Sequence, residues 1–315
     1  MRGISSFPIS QDLLQEIRQL STALPEVSQR LEGSEVRDRL KRISPNGRFL
    51  LLSDEEGELV SRYGAQVFRE QGIDAQAACI AEVMNWPAVL RSRYDQVLYL
   101  GSGSSAELHT DFVDRLFWLG GAAPEEKTQT APLIPFEPWW QGSLPFVSLG
   151  LFLWGLAHQW TRNGQTDWAD SFKKFRQRVM LQVDGLEYLT GEWEKLLSGC
   201  THLQLIGGGL NQIAAQFTVQ KLQSWLGANV GWYPVEDIPL IPASACIIMG
   251  ELPGQRVASL QAEKRTCIFV PEGFPERKIS ENLPGSDFPA SLTALLNVVC
   301  GEIIALSLSN RKSSS

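Results

Sequence analysis

Apolar residues recur along this chain with two periods, and the places where one gives way to the other predict its elements. In QDLLQEIRQLSTALPEVSQRL, residues 11–31, Leu13, Leu14, Ile17 and Leu20 fall on one face of a helix. Ser10 is placed to cap that helix, and Pro25 is expected to break it. From residue 48, RFLLLSDEEGELVSRYGAQVFREQG reads as a strand, a polar turn and an amphipathic helix, and AQAACIAEV follows as a second short strand. DQVLYLGSGSSAELHTDFVDRLFWLGG repeats strand and turn, then predicts a helix running on through FWLG. Residues 122–142 are Pro-rich and irregular. The apolar run Leu144–Ala157 is 14 residues long, too short to span a bilayer and suited to a buried helix over 143–160.

Residues 168–198 read as a helical connector, after which the alternation restarts. HLQLIGGGLNQIAAQFTVQKLQSWLG is strand, Gly turn and helix. SACIIMGELPGQRVASLQA and RTCIFVPEG are strand-plus-turn units, and PASLTALLNVVCGEIIALSL is a long apolar helix. Strand and helix alternate in both halves, which predicts an α/β fold with a parallel, doubly wound sheet in each. The expected organisation is an N-terminal helical segment at 1–46, a first domain at 47–165 and a second at 166–315. The halves read as copies. At a constant offset of 154, Leu52 meets Ile206, Leu59 meets Ile213, Tyr63 meets Phe217, Phe68 meets Leu222 and Glu82 meets Glu236. So long a period implies two similar domains rather than a stacked solenoid.

Composition narrows the function. With 28 basic and 35 acidic residues, a net charge of −7 and no basic run, nucleic acid is not an expected partner. MRGISSFPIS lacks the apolar core of a secretory signal, and five cysteines without C-x-x-C spacing suit reduced thiols, so a cytoplasmic protein is expected, with no membrane partner. No cluster among the three histidines, the cysteines and the carboxylates has metal-ligand spacing, so no metal is expected.

Candidate chemistry begins at VLYLGSGSSAEL, Val97–Leu108. Gly101-Ser102-Gly103-Ser104-Ser105-Ala106 fits the dinucleotide fingerprint, and it equally fits an anion cradle of backbone N–H groups and hydroxyls at a helix start. A dinucleotide site wants a strand ending in an acid about 20 residues on. Glu125 and Glu126 stand at that distance, but no strand is predicted before them. The second Gly turn has Gln212 where the fingerprint wants Gly or Ala. Three hydroxyls in the first loop favour a terminal phosphate over a pyrophosphate, and no cofactor is expected. The corresponding stretch of the second half, IIMGELPGQ, has no Ser, so an anion site is expected in the first half alone. Glu82, Glu236 and Asp237 are candidate acids, with capping of the next element as their bland role. His109 and Trp139-Trp140 are read as solvated or packed residues before being read as ligands.

In order and spacing, these stretches resemble the double sugar-isomerase (SIS) family, in particular the isomerase half of glucosamine-6-phosphate synthase and related phosphosugar isomerases and deaminases. The resemblance covers roughly residues 40–310. VLYLGSGSSAEL falls where the family has its phosphate loop S-x-S-G-E-T. IGGGLNQIAAQFTVQKLQSW is similar to G-R-G-x-x-x-x-x-A-x-E-x-x-L-K-L-K-E, and GWYPVEDIPL stands where the family reads A-Y-x-x-G-E-L-K-H-G-P. The resemblance implies flavodoxin-like sheets, a homodimer, and a sugar phosphate or amino-sugar phosphate gripped by Gly101, Ser102, Gly103, Ser104 and Ser105. It also implies lost chemistry. The proton-moving carboxylate of K-L-K-E maps to Gln223 within Gln220-Lys221-Leu222-Gln223, and an amide is no general base near neutral pH. The ring-opening His maps within Pro239-Leu240-Ile241, and NRKSSS replaces the family tail with its active-site Lys. The expectation is a phosphosugar-binding protein without catalysis, in a regulatory or interaction role. The alternative is a diverged aldose–ketose isomerase or deaminase using Glu82, Glu236 or Asp237.

Overall fold

A computed structural model describes residues 9–33, 45–55, 57–100, 116–120, 142–161, 167–227, 229–239, 244–250, 266–270 and 288–314, with isolated positions between them. The chain forms two compact units, one of residues 22–173 and one of residues 1–21 with 174–315. The first helix, α1 (Ile9–Glu32), contributes residues to both.

The first unit is built on a four-stranded parallel sheet. Its strands are β1 (Phe49–Ser53), β2 (Ala75–Cys79), β3 (Gln96–Leu100) and β4 (Leu116–Gly120), in the order β2-β1-β3-β4. All five residues of β1 are buried, as a strand covered on both faces requires. Between β1 and β2 runs α2 (Glu58–Glu70), whose inner face buries Leu59, Val60, Tyr63, Val67 and Phe68. Its Gly64 lets the helix close on the sheet, since a Cβ there would run into the Leu51 and Leu153 side chains. Leu153 belongs to α5 (Ser143–Thr161), which is buried almost all round, as a helix without a polar face must be. Two one-turn helices, α3 (Ile80–Val83) and α4 (Ala88–Arg91), join β2 to β3.

The second unit repeats the plan. After α6 (Asp167–Asp184) and α7 (Leu186–Leu196) come β5 (His202–Gly207), α8 (Asn211–Leu226), β6 (Val230–Tyr233), β7 (Ser244–Met249) and β8 (Thr266–Val270). The order is β6-β5-β7-β8, again all parallel. The closing helix α9 (Ala290–Ser314) packs on α8 and α7. Its Ala290–Ser309 stretch is long and apolar enough to cross a membrane, yet it is almost entirely buried inside the protein. Pairing registers match the halves. Leu52 faces Ala78 and Tyr99, and Ile206 faces Tyr233 and Ile248. The two sheets are the parallel, doubly wound architecture expected from the alternation, in the flavodoxin-like order that the resemblance implied.

Three local expectations fail. Ser10 does not cap α1 but lies inside it, since the helix already includes Ile9. Pro25 does not break α1, which runs on to Glu32. Pro withholds the N–H that would serve the carbonyl four residues back, and its ring crowds that carbonyl, at a cost of about 3 kcal/mol. The stripe Ile17, Leu20, Leu24, Val27 and Leu31, each at most 1 % exposed, rewards continuity on both sides of it. FWLG is not helical either: Leu116–Gly120 is a strand paired with β3. Aromatic Phe117 and Trp118 suit a strand, and the slot beside β3 supplies ladder partners that a helix could not use.

Candidate functional site

In a sheet ordered β2-β1-β3-β4, the chain leaves β1 and β3 in opposite lateral directions, and the crevice outside their carboxyl ends is where such folds take ligands. Residues Gly101–Ser105 begin immediately after Leu100, the last residue of β3. They lie outside the described residues, as do His109 and Trp139-Trp140, and their anchor is well defined. Gly57, at the turn after β1, packs so closely on the Leu100 carbonyl that a Cβ there would collide with it and with the Ser53 Cβ. The end of β3, from which the Ser loop departs, is therefore held against the β1–α2 turn.

That turn carries an acid that no motif in the sequence singles out. Asp54 follows β1 directly, and its Oδ1 accepts a hydrogen bond from the Gly57 N–H at 2.9 Å. Beneath it the Ser53 and Ser61 hydroxyls share a buried hydrogen bond of 3.2 Å. The one signal for Asp54 was its place after the first strand, where switch-point residues fall. Glu82 is exposed in α3, beyond the end of β2. Since β1 lies between β2 and β3, its strand end is about 10 Å from that of the Ser loop, two strand spacings.

Glu236 and Asp237 lie exposed in the turn after β6, in the other unit. The pairing register shifts the internal correspondence by one here. Cys79 ends β2 opposite Ser53, while Tyr233 ends β6 opposite Ile206. In place of Glu236, Asp237 becomes the counterpart of Glu82. The turn is tied down from the sheet: buried Gln204 of β5 donates from Nε2 to the Pro239 carbonyl at 2.8 Å and accepts from Ser244 Oγ at 3.0 Å.

At the same edge of the second unit, Gly207 ends β5 and faces the Asn211 backbone at a distance that admits no side chain. Gly209 and Gly250 take φ of +54° and +78°, left-handed values that glycine adopts freely. Asn297 of α9 donates from Nδ2 to Asn211 Oδ1 at 2.9 Å, locking the start of α8.

Gln223 is engaged structurally. Its Nε2 donates to the Val230 carbonyl at 2.9 Å, at the first residue of β6. Lys221 is buried, with its ammonium 5.4 Å from the centre of the Phe217 ring. Burial pulls its pKa below the ordinary lysine value, while the charges of Glu302 and Glu16 pull the other way. Among the described residues no group of three His, Cys, Asp or Glu could hold a metal ion. The ground for setting Glu125 aside does not survive, because β4 does precede it. The three loop hydroxyls remain the feature that separates a phosphate from a dinucleotide.

No family model and no curated protein sequence matches the chain. Solved structures do. The C-terminal domain of glucosamine-fructose-6-phosphate aminotransferase from Francisella tularensis superposes with a TM-score of 0.67 at 12% identity, over 99% of this chain and 98% of that one. Tagatose-6-phosphate ketose/aldose isomerase from Escherichia coli gives 0.67 at 14%, over 95% and 93%. Glucosamine-6-phosphate deaminase from Thermotoga maritima gives 0.63 at 13%, over 95% and 94%. Near-complete coverage in both directions, with the strand order found in each half, establishes that this chain has the tandem α/β fold of these three proteins.

Proposed function

We propose that the protein binds a sugar phosphate or amino-sugar phosphate at the carboxyl edge of the first sheet and acts as a regulatory or interaction protein without isomerase chemistry. The observation that carries this reading is that β3, which Gly101–Ser105 follow in the chain, ends at the β1/β3 switch point with its last residue, Leu100, packed against Gly57. Backbone N–H groups and the hydroxyls of Ser102, Ser104 and Ser105 grip the phosphate. Asp54, one strand away, accepts a hydrogen bond from a sugar hydroxyl. Structural neighbours named for sugar phosphates support the ligand class. Gln223 supports the absence of proton transfer, since it is an amide engaged in holding β6. The protein works as a cytoplasmic homodimer.

Thermal-shift titration tests the reading. Hexose 6-phosphates or glucosamine 6-phosphate raise the melting temperature by mass action, and Ser104→Asp abolishes the rise by placing like charge at the phosphate. Melting that is unmoved by any of them overturns the proposal. Aldose–ketose conversion by the wild type, lost in Glu82→Gln, would instead establish the diverged enzyme.

A further inference from the structure

The link from β2 to β3 has sixteen residues, 80–95, against ten, 234–243, in the matching link of the second unit. The longer link carries α3, α4 and Trp86, and it encloses a pocket of about 230 Å³ that also reaches Arg48, Asp74, Gln76, Leu90, Arg93 and Tyr94. Arg48, Asp74 and Tyr94 precede β1, β2 and β3 in turn, so the pocket opens at the amino edge of the sheet. A five-residue strand separates it from the carboxyl edge by about 16 Å. It is thus distinct from the site proposed above.

One wall is flat and apolar. Trp86 stacks on Tyr94 with centroids 6.1 Å apart and planes at 23°, with Leu90 beside them. The other wall is polar, with two arginines and one carboxylate in its lining; Asp95, which accepts from the Arg48 N–H at 2.8 Å, and Glu82, whose charge acts on Tyr94, stand outside the lining. Arg48 Nε donates to Asp74 Oδ2 at 2.7 Å, so those two charges offset each other. Arg93 adds a second cation, and among the described lining residues Asp74 is the sole acid. Tyr94 Oη donates to Gln76 Oε1 at 2.6 Å, which holds the Gln76 amide in the pocket lining. Burial holds the Tyr94 phenol above its ordinary pKa, so that donor keeps its proton.

We propose that this pocket is a second binding site, taking a small anion carried on a flat ring. The ring packs against Trp86, and the anionic group meets Arg93 and the Gln76 amide. A guanidinium supplies paired donors to phosphate or carboxylate, and the indole face supplies a stacking surface for the ring.

Isothermal titration calorimetry with phenyl phosphate, inorganic phosphate and glucose 6-phosphate tests this on the full chain. Phenyl phosphate binds in the Ser104→Asp variant as in wild type, and inorganic phosphate binds at least about tenfold more weakly because it lacks the ring. Arg93→Ala, at an exposed position, weakens phenyl phosphate by about tenfold or more through the lost charge-assisted bonds. Trp86→Leu does likewise, and Trp86→Phe restores most of the affinity. The proposal is overturned if phenyl phosphate shows no heat up to about 10 mM, if Arg93→Ala binds it as wild type does, or if inorganic phosphate matches it. Loss of phenyl phosphate binding in Ser104→Asp also overturns it, by moving that ligand to the carboxyl edge. Failure of either site leaves the other standing.

Discussion

Gln223 shows how much one side chain's partner decides. The sequence shows only that an amide stands at this position. The structure adds that its N–H holds the Val230 carbonyl. Gln223→Glu therefore creates no isomerase, and it costs about 1–2 kcal/mol in urea denaturation by removing the donor. Gly57→Ala is harsher in kind, because its Cβ meets the Leu100 carbonyl and the Ser53 Cβ, with a loss of about 1–3 kcal/mol. Thiol labelling reads burial directly. Cys246 and Cys300 are buried, and burial raises the Cys300 thiol well above its ordinary pKa. Cys79, Cys200 and Cys267 react first with a thiol reagent, and the two buried thiols react only on unfolding. A raised native pKa also means that the unfolded chain loses its proton first on the alkaline side. The Cys300 contribution is thus complete below the ordinary thiol pKa and falls as pH rises above it, which Cys300→Ala removes. Cysteine burial was partly legible from the apolar runs around these residues. Asp54 was legible only by its place after the first strand, because its neighbourhood depends on which strands pair.

At the scale of elements, apolar repetition predicted most helices and strands, and it failed where long-range packing outvoted local preference. Pro25 inside α1 and Leu116–Gly120 in β4 are such cases. The pairing of α8 with α9 is another case that no periodicity announces. Lys221 is buried there, and its field includes Glu302, which is also fully buried, and Glu16 of α1. Removing one partner of a buried charge cluster is more costly than replacing all of it. Lys221→Met alone is expected to lose about 3 kcal/mol, and Lys221→Met with Glu302→Leu to recover most of that, as read in denaturant titration. Two independent losses that simply add would contradict this.

For the whole molecule, the alternation of strand and helix dictates two parallel sheets. Parallel pairing needs a crossover for each strand, and only right-handed βαβ units supply it. The helix that precedes them is equally essential. In α1, Ile17, Leu20, Leu24, Val27 and Leu31 are all but inaccessible. Five such side chains together account for about 7–15 kcal/mol of burial, comparable with the entire stability of about 5–15 kcal/mol expected of a domain. Deletion of residues 1–32 is thus expected to abolish a cooperative melting transition in calorimetry. A retained transition near the wild-type temperature would show that α1 is an accessory.

What the sequence by itself determined about this protein is the repeat, the fold class, the excess of acidic over basic residues with no basic run, and an amide at position 223. These depend on residue identity and on periods of two and 3.6, which survive without knowledge of neighbours. Strand order, the pinning of Leu100 by Gly57, the placing of Asp54 one strand from the end of β3 and the aromatic pocket at the opposite edge were decided by the tertiary structure. Each brings together residues far apart in the chain, and the free energy that joins them comes from burial and pairing that no local window contains.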